Sequence, residues 1–249
     1  MFSLLKKRST LEEYMDQLDQ GGPELTEALR HLRRLNRIFA AAGPTIYGIE
    51  RLWEASGKPT ELTVLDIGAG SGDVNRRLLT WADTKGVQVQ ITLMDITEEA
   101  CAEAVRYYSN EPRIQVVQGD LFRISGKDTA DIVTATQFLH HFTGDTLTQA
   151  LRCMHRASRI GVVINDIHRH WISWSAVWLM TRLVSRNRYI QHDGPLSVAK
   201  GFRAADWNRL ADSCHDEVLL TYKWRPLFRY AVICQSVSAE GESVHVPTR

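Results

Sequence analysis

Cysteine is scarce in this sequence, long apolar runs are missing, and neither sign of charge predominates. The 249 residues include only four cysteines. Cys101, Cys153, Cys214 and Cys234 are scattered, with no Cys-x-x-Cys pair and no histidine at ligand spacing, which argues against a disulfide framework or a structural zinc site and for reduced thiols. The longest apolar stretch, Trp171 to Val184, contains Arg182 and three hydroxyl side chains and falls short of the ~20 residues that cross a bilayer. The first residues place apolar side chains before basic ones, the reverse of a secretory leader, so a cytoplasmic location is expected. Thirty Lys and Arg against 29 Asp and Glu leave a net charge of +1, and no global field draws the chain to nucleic acid or anionic lipid. Any such binding must come from a local patch. What remains, 44% hydrophobic and 24% charged residues, is the composition of a globular protein with a full-sized core.

Residues 10–57 read as helical. Leu25, Leu29, Leu32, Leu35 and Phe39 recur at spacings of three and four, with Arg30, Arg33, Arg34 and Arg37 between them, which predicts an amphipathic helix with a basic side. Gly43-Pro44 is expected to end it, and a further short helix follows. From residue 62 short β-rich runs take over: Leu62 to Ile67, Val87 to Met94, Ile114 to Val117, Ile132 to Ala135 and Ile160 to Ile164. Helical or turn-like segments separate them, an alternation that predicts a parallel sheet with crossover helices. Val218 to Tyr222 and Phe228 to Cys234, joined through Pro226, read as a closing antiparallel hairpin. No linker divides the chain into independent units.

Val64 to Asp73 (VLDIGAGSGD) carries the strongest local signal: an apolar strand, then Gly68, Gly70 and Gly72, then a helix. Such glycines let the backbone turn tightly and admit a flat ligand. A nicotinamide fingerprint needs Gly or Ala where Asp73 stands, and a carboxylate beside a helix N-terminus repels a pyrophosphate. No Lys-Ser/Thr follows to make a P-loop. Asp66, just before the glycines, suits a ligand that carries an ammonium group and no phosphate.

These residues resemble the first motif of the class I S-adenosylmethionine-dependent methyltransferases, and the resemblance continues in order along the chain. It implies a Rossmann-like, mostly parallel seven-stranded α/β sheet, with S-adenosylmethionine held by Asp66, Gly68, Gly70 and Gly72 around its methionine and nucleoside. Asp95, with Ile96, matches the acidic residue that takes the ribose hydroxyls, and Asp120-Leu121 matches the motif that reads the adenine. Asp131 to Phe142, with Gln137, looks like the fourth strand and following loop of ubiquinone/menaquinone methyltransferase-like members. Leu11 to Asp16 (LEEYMD), Leu32 to Arg37, Asn165 to His168 and His192 to Ser197 resemble a bacterial subgroup associated with type III polyketide synthases, which implies a small phenolic, pyrone or lipid-like acceptor. The resulting division is an N-terminal helical cap over 1–60, a methyltransferase domain over 61–237 with a lid insertion at 168–201, and a polar tail over 238–249.

Methyl transfer to a hydroxyl needs alignment and a base. His140 and His141, after the fourth strand, and His192, beside Asp193, are the candidate bases. Asn165 and Asp166 end the fifth strand and are expected near the acceptor. A catalytic magnesium there would need a further carboxylate where Gln137 stands, so no metal is expected. Trp171, Trp174 and Trp178 share one helical face and are expected either to cover an aromatic or acyl acceptor or to pack onto the sheet. The basic residues around them would also suit a membrane surface, a less favoured partner. The leading expectation is O-methylation of a small, largely apolar acceptor. Its alternatives are C-methylation of a quinone-like ring, a non-catalytic cofactor-binding module, and a nucleic-acid or protein acceptor docking on the basic helix. That last acceptor class is disfavoured because no Asn/Asp-Pro-Pro-aromatic motif or Pro-Cys nucleophile is present. Oligomeric state has no signature in the sequence.

Overall fold

The computed structural model describes residues 5–16 and 22–237; the expected polar tail lies outside them. Two helices come first, α1 (Pro23–Ile38) and α2 (Gly43–Ala55). The alternating region follows as β1 (Glu61–Ile67), α3 (Asn75–Lys85), β2 (Gln88–Asp95), α4 (Glu98–Tyr107), β3 (Ile114–Gln118), β4 (Ala130–Thr136), α5 (Gly144–Ala157) and β5 (Ser158–Ile167). Helices α6 (Trp171–Val184), α7 (Arg188–Lys200) and α8 (Ala204–Cys214) then precede the closing strands β6 (Val218–Arg225) and β7 (Arg229–Ser236).

The seven strands lie in the order β3-β2-β1-β4-β5-β7-β6, parallel except for β7, which runs antiparallel to β5 and β6. This is the expected Rossmann-like sheet. Two apolar layers cover it, one built on Val133, Leu151, Met154 and Trp207, the other on Ile49, Leu52, Leu78 and Val163. Leu227 and Phe228, both at positive φ, turn the final hairpin.

Two local expectations are corrected. Gly43-Pro44 opens α2 instead of ending α1, because a proline in the first turn lacks only an N–H that the helix does not use there. Of residues 10–16, only Tyr14–Asp16 forms a helical turn; the remainder lies along the domain. Helices α6 and α7 occupy most of residues 171–200. The chain leaves and rejoins the sheet through a 2.8 Å hydrogen bond from the Phe202 N–H to the Ile167 carbonyl.

Candidate active site

The C-terminal ends of the parallel strands open into a cavity of about 820 Å³. Ligands of open α/β sheets bind at this edge. One wall is the glycine loop. Gly68 and Gly70 take φ of +62° and +56°, and a Cβ on Gly68 would lie 2.2 Å from the Phe138 ring. The Gly70 N–H donates to Asp95 Oδ2 at 2.8 Å, while the Thr97 N–H and hydroxyl donate to Oδ1, so Asp95 is held in place from both sides. Asp66 is buried and accepts from Asn75 Nδ2 at 2.6 Å and the Thr134 hydroxyl at 2.7 Å. Burial pushes its carboxyl up to about 6 despite those donors, which marks a place where a cation would be welcome. Ile96, Asp120, Leu121 and Gln137 complete this side. Leu25, Leu29, Leu32, Leu35 and Phe39 also line the cavity, with Leu29 beside Gly70. The apolar stripe of α1 is thus a cavity wall, not only a core face. Asn36 ties it to the loop, accepting from Gln137 Nε2 at 3.0 Å and donating to Asp73 Oδ1 at 3.3 Å.

Beyond the loop, His140 is buried and reads two carboxylates at once. Its Nδ1 lies 2.8 Å from Asp166 Oδ1, and its backbone N–H donates to Asp166 Oδ2. Its Nε2 makes no hydrogen bond of ordinary geometry and stands 3.5 Å from Glu13 Oε1, which pairs with the Lys200 ammonium. Burial alone would lower the His140 pKa; Asp166 and Glu13 reverse this and raise it to about 9. Burial likewise opposes the charges of Asp166 and Glu13, yet the histidines hold both carboxyls below their usual range. Glu13 arrives on residues 8–16, a strap laid over the cavity. Arg8 donates to the carbonyls of Lys200, His140 and Phe142, Asp193 accepts from the N–H groups of Tyr14 and Met15, and Asp16 binds His141 Nδ1 at 2.7 Å. Lys200 Nζ lies 3.3 Å from both Glu13 and Asp16.

Comparisons with known proteins bear on the fold and the domain. A family profile described as a methyltransferase domain matches residues 64–161. That match supports a methyltransferase domain over those residues, in keeping with the resemblance to the class I S-adenosylmethionine-dependent methyltransferases. Among curated proteins it is similar to the ribosomal RNA small subunit methyltransferase A of Synechococcus sp. (strain JA-2-3B'a(2-13)), 26% identical over 129 residues, 52% of this chain. It spans only 37% of that protein's length. Among solved structures it resembles the mitomycin 7-O-methyltransferase (TM-score 0.63, 16% identity, 90% of this chain and 60% of that one). It also resembles human N-acetylserotonin methyltransferase (0.60, 17%, 92% and 64%) and a methyltransferase of Methanococcus maripaludis described as S-adenosylmethionine-dependent (0.59, 17%, 90% and 98%). At these identities the structures support the fold alone.

Several residues expected in the methyltransferase site stand elsewhere. Gly72 is not a cavity wall; a Cβ there would meet Leu93 at 2.4 Å, so its role is close packing on β2. Asn165 is buried away from the cavity and donates to the Ala41 carbonyl and Thr45 hydroxyl, fastening α2 to the sheet. Asp166 meets His140 and the Ile167 N–H, not the cavity. Trp171, Trp174 and Trp178 are not cavity walls; Trp171 and Trp178 are 49% and 40% exposed, and α6 turns Ser173, Ala176 and Val177 inward instead. His192 also lies off the cavity, stacked on Tyr14 at 3.8 Å and bonded to Asp193, which leaves it anchoring the strap. Asp193 does border the cavity, but its oxygens are committed to the strap. The basic side of α1 is partly neutralised, since Arg30 and Arg33 pair with Glu103 of α4. Glu13, His140 and His141 could converge on one ion; the Lys200 ammonium already balances the carboxylates there, which disfavours a second cation. No described helix is long and apolar enough to cross a membrane.

The sequence reading missed Glu13, Asp16, Asn36, Lys200 and Arg229 as cavity residues. Glu13, Asp16 and Asn36 lay within segments quoted for family resemblance, but nothing local showed that they meet residues a hundred or more positions away.

Proposed function

We propose that this enzyme transfers the methyl group of S-adenosylmethionine to a hydroxyl of a small, largely apolar acceptor of phenolic or polyketide type, with His140 as the general base. Bound S-adenosylmethionine supplies a methyl carbon made electrophilic by its sulfonium. The strongest support is His140 itself, its Nδ1 fixed by a buried carboxylate and its Nε2 facing Glu13 across 3.5 Å at the wall of the cavity that begins at the glycine loop. Asp166 selects the tautomer, keeping the proton on Nδ1 so that neutral Nε2 can accept the acceptor's hydroxyl proton. The oxygen's electron pair then forms the new O–C bond as the C–S bond breaks onto sulfur. The strap and α1 exclude water, and Asp66 balances the ammonium of the cofactor. Asp95, Ile96, Asp120, Leu121 and Gln137 would hold its nucleoside. A polynucleotide is poorly suited to this cavity, because strap, α1 and α6 leave room for a compact ligand.

With its pKa raised to about 9, His140 is protonated at neutrality, and the base form accumulates as pH rises. The methylation rate is therefore expected to increase from about pH 6 to about 9, and His140→Ala to lower it by ~10²-fold or more with unchanged affinity for S-adenosylhomocysteine. A rate independent of pH over that range would transfer the role to Glu13, ionised throughout. Full activity in His140→Ala would reject base catalysis by this residue.

A further inference from the structure

Arg229, the first residue of β7, is only 5% exposed and forms part of the cavity wall beside Leu227 and Phe228. Its Nε and Nη1 are buried without hydrogen-bond partners. The other buried cations among the described residues are provided for. Arg169 pairs with Asp206 at 3.1 Å and donates to the Gly201 carbonyl, and Lys200 sits between Glu13 and Asp16. Asp166 and Asp73 act on Arg229 only through space, neither forming an ion pair or hydrogen bond with it. Burial outweighs that attraction and pushes the guanidinium down to about 10. A protein gains nothing in stability from a desolvated, unpaired guanidinium. Its use must lie in what fills the cavity.

We propose that Arg229 is the receptor for a carboxylate that enters this cavity with a ligand. A guanidinium presents parallel N–H groups that match the two oxygens of a carboxylate, and in a dry site such a bidentate contact is strong and directional. Two sources carry this group: the methionine end of the cofactor, or an acid function on an otherwise apolar acceptor. The inference rests on the reading of the cavity as a methyl-transfer site, and in the second case it names the acceptor as an acid.

The test compares wild type with Arg229→Met, which keeps the volume and removes the charge, by calorimetry with three probes. S-adenosylhomocysteine carries the aminocarboxylate, methylthioadenosine has the same nucleoside without it, and salicylate, added in the presence of S-adenosylhomocysteine, carries a carboxylate beside a phenol. If the cofactor is the source, the variant loses at least tenfold in affinity for S-adenosylhomocysteine and none for methylthioadenosine. If the acceptor is the source, the loss falls on salicylate alone. In both cases the melting temperature of the ligand-free enzyme is unchanged or higher. No loss for either carboxylate probe overturns the proposal, as does an equal loss for methylthioadenosine with a lowered melting temperature, which would mark Arg229 as structural. Should Arg229→Met fail to fold, Arg229→Lys, charged but without the fork, takes its place with the same criteria. Failure of the wild type to bind S-adenosylhomocysteine would instead reject the methyl-transfer reading.

Discussion

A carboxylate buried among neutral donors holds its charge poorly until a cation arrives, and Asp66 is in that position. Its two hydrogen bonds, from Asn75 and Thr134, fix its direction but leave its carboxyl at about 6. An ammonium bound beside it would favour the ionised form, so binding and deprotonation are linked. Below about pH 6, binding must first expel a proton. The affinity for S-adenosylhomocysteine is therefore expected to be flat from about pH 8 to about 7 and then to fall, approaching tenfold per unit well below about pH 6. Calorimetry across that range would show it, and Asp66→Asn should be weaker throughout and lose the slope. A wild-type affinity independent of pH down to about 5 would mean that Asp66 does not meet the charge. Asp66 could be picked out from sequence because strand, acid and glycines are adjacent there. Glu13 and Arg229 could not, since each acquires its chemistry from residues distant in the chain.

At the level of elements, the same contrast separates what periodicity reveals from what it leaves open. Strand and helix alternation located β1 to β5 to within a few residues, because strands of a covered sheet are apolar, and the hairpin pattern located the closing pair. A 3.6-residue period also placed Trp171, Trp174 and Trp178 on one side of α6, but it cannot say which side faces inward. Size argues for the inner face as well as hydrophobicity does: a helix that borders a ligand cavity needs small residues there, and α6 turns Ser173, Ala176 and Val177 to the cavity. Helix α1 shows the converse, its leucine stripe being legible as apolar but not as a cavity wall. Ala176→Trp is expected to fill part of the cavity and lower the methylation rate at limiting acceptor at least tenfold, with little change in melting temperature. Trp178→Ser, on the outer face, is expected to leave the rate within about twofold of wild type. Assays of both variants with one accepted substrate decide the matter, and the reverse ranking would restore the tryptophans as the lid.

Across the whole molecule, the His140 cluster joins distant parts of the chain. Asp166 comes from the sheet, Glu13 and Asp16 from the strap, and Lys200 from the end of α7, so charge in this cluster bears on how the strap is held. For His140 the folded pKa, about 9, exceeds its ordinary 6.5; its stabilisation is complete below about pH 6.5 and is lost as pH rises through about 9. Asp166 and Glu13 are shifted downward, and their contribution is present above about pH 4 and lost on acidification. The alkaline limb thus belongs to the imidazolium and amounts to a few kcal/mol at most, on the order set by a rise from 6.5 to about 9. On the proposed reading, the deprotonation that would make His140 a base also weakens the contact that holds Glu13 over it, so turnover and strap closure would draw on one proton. The melting temperature of the ligand-free enzyme is expected to decline between about pH 7 and about 9.5, and proteolysis within residues 8–16 to accelerate in parallel. His140→Gln, neutral at every pH, should start lower and show neither trend. A wild-type enzyme whose melting temperature and strap cleavage stay constant over that interval would show that the imidazolium does not hold the strap, and the buried cluster would then act in catalysis alone.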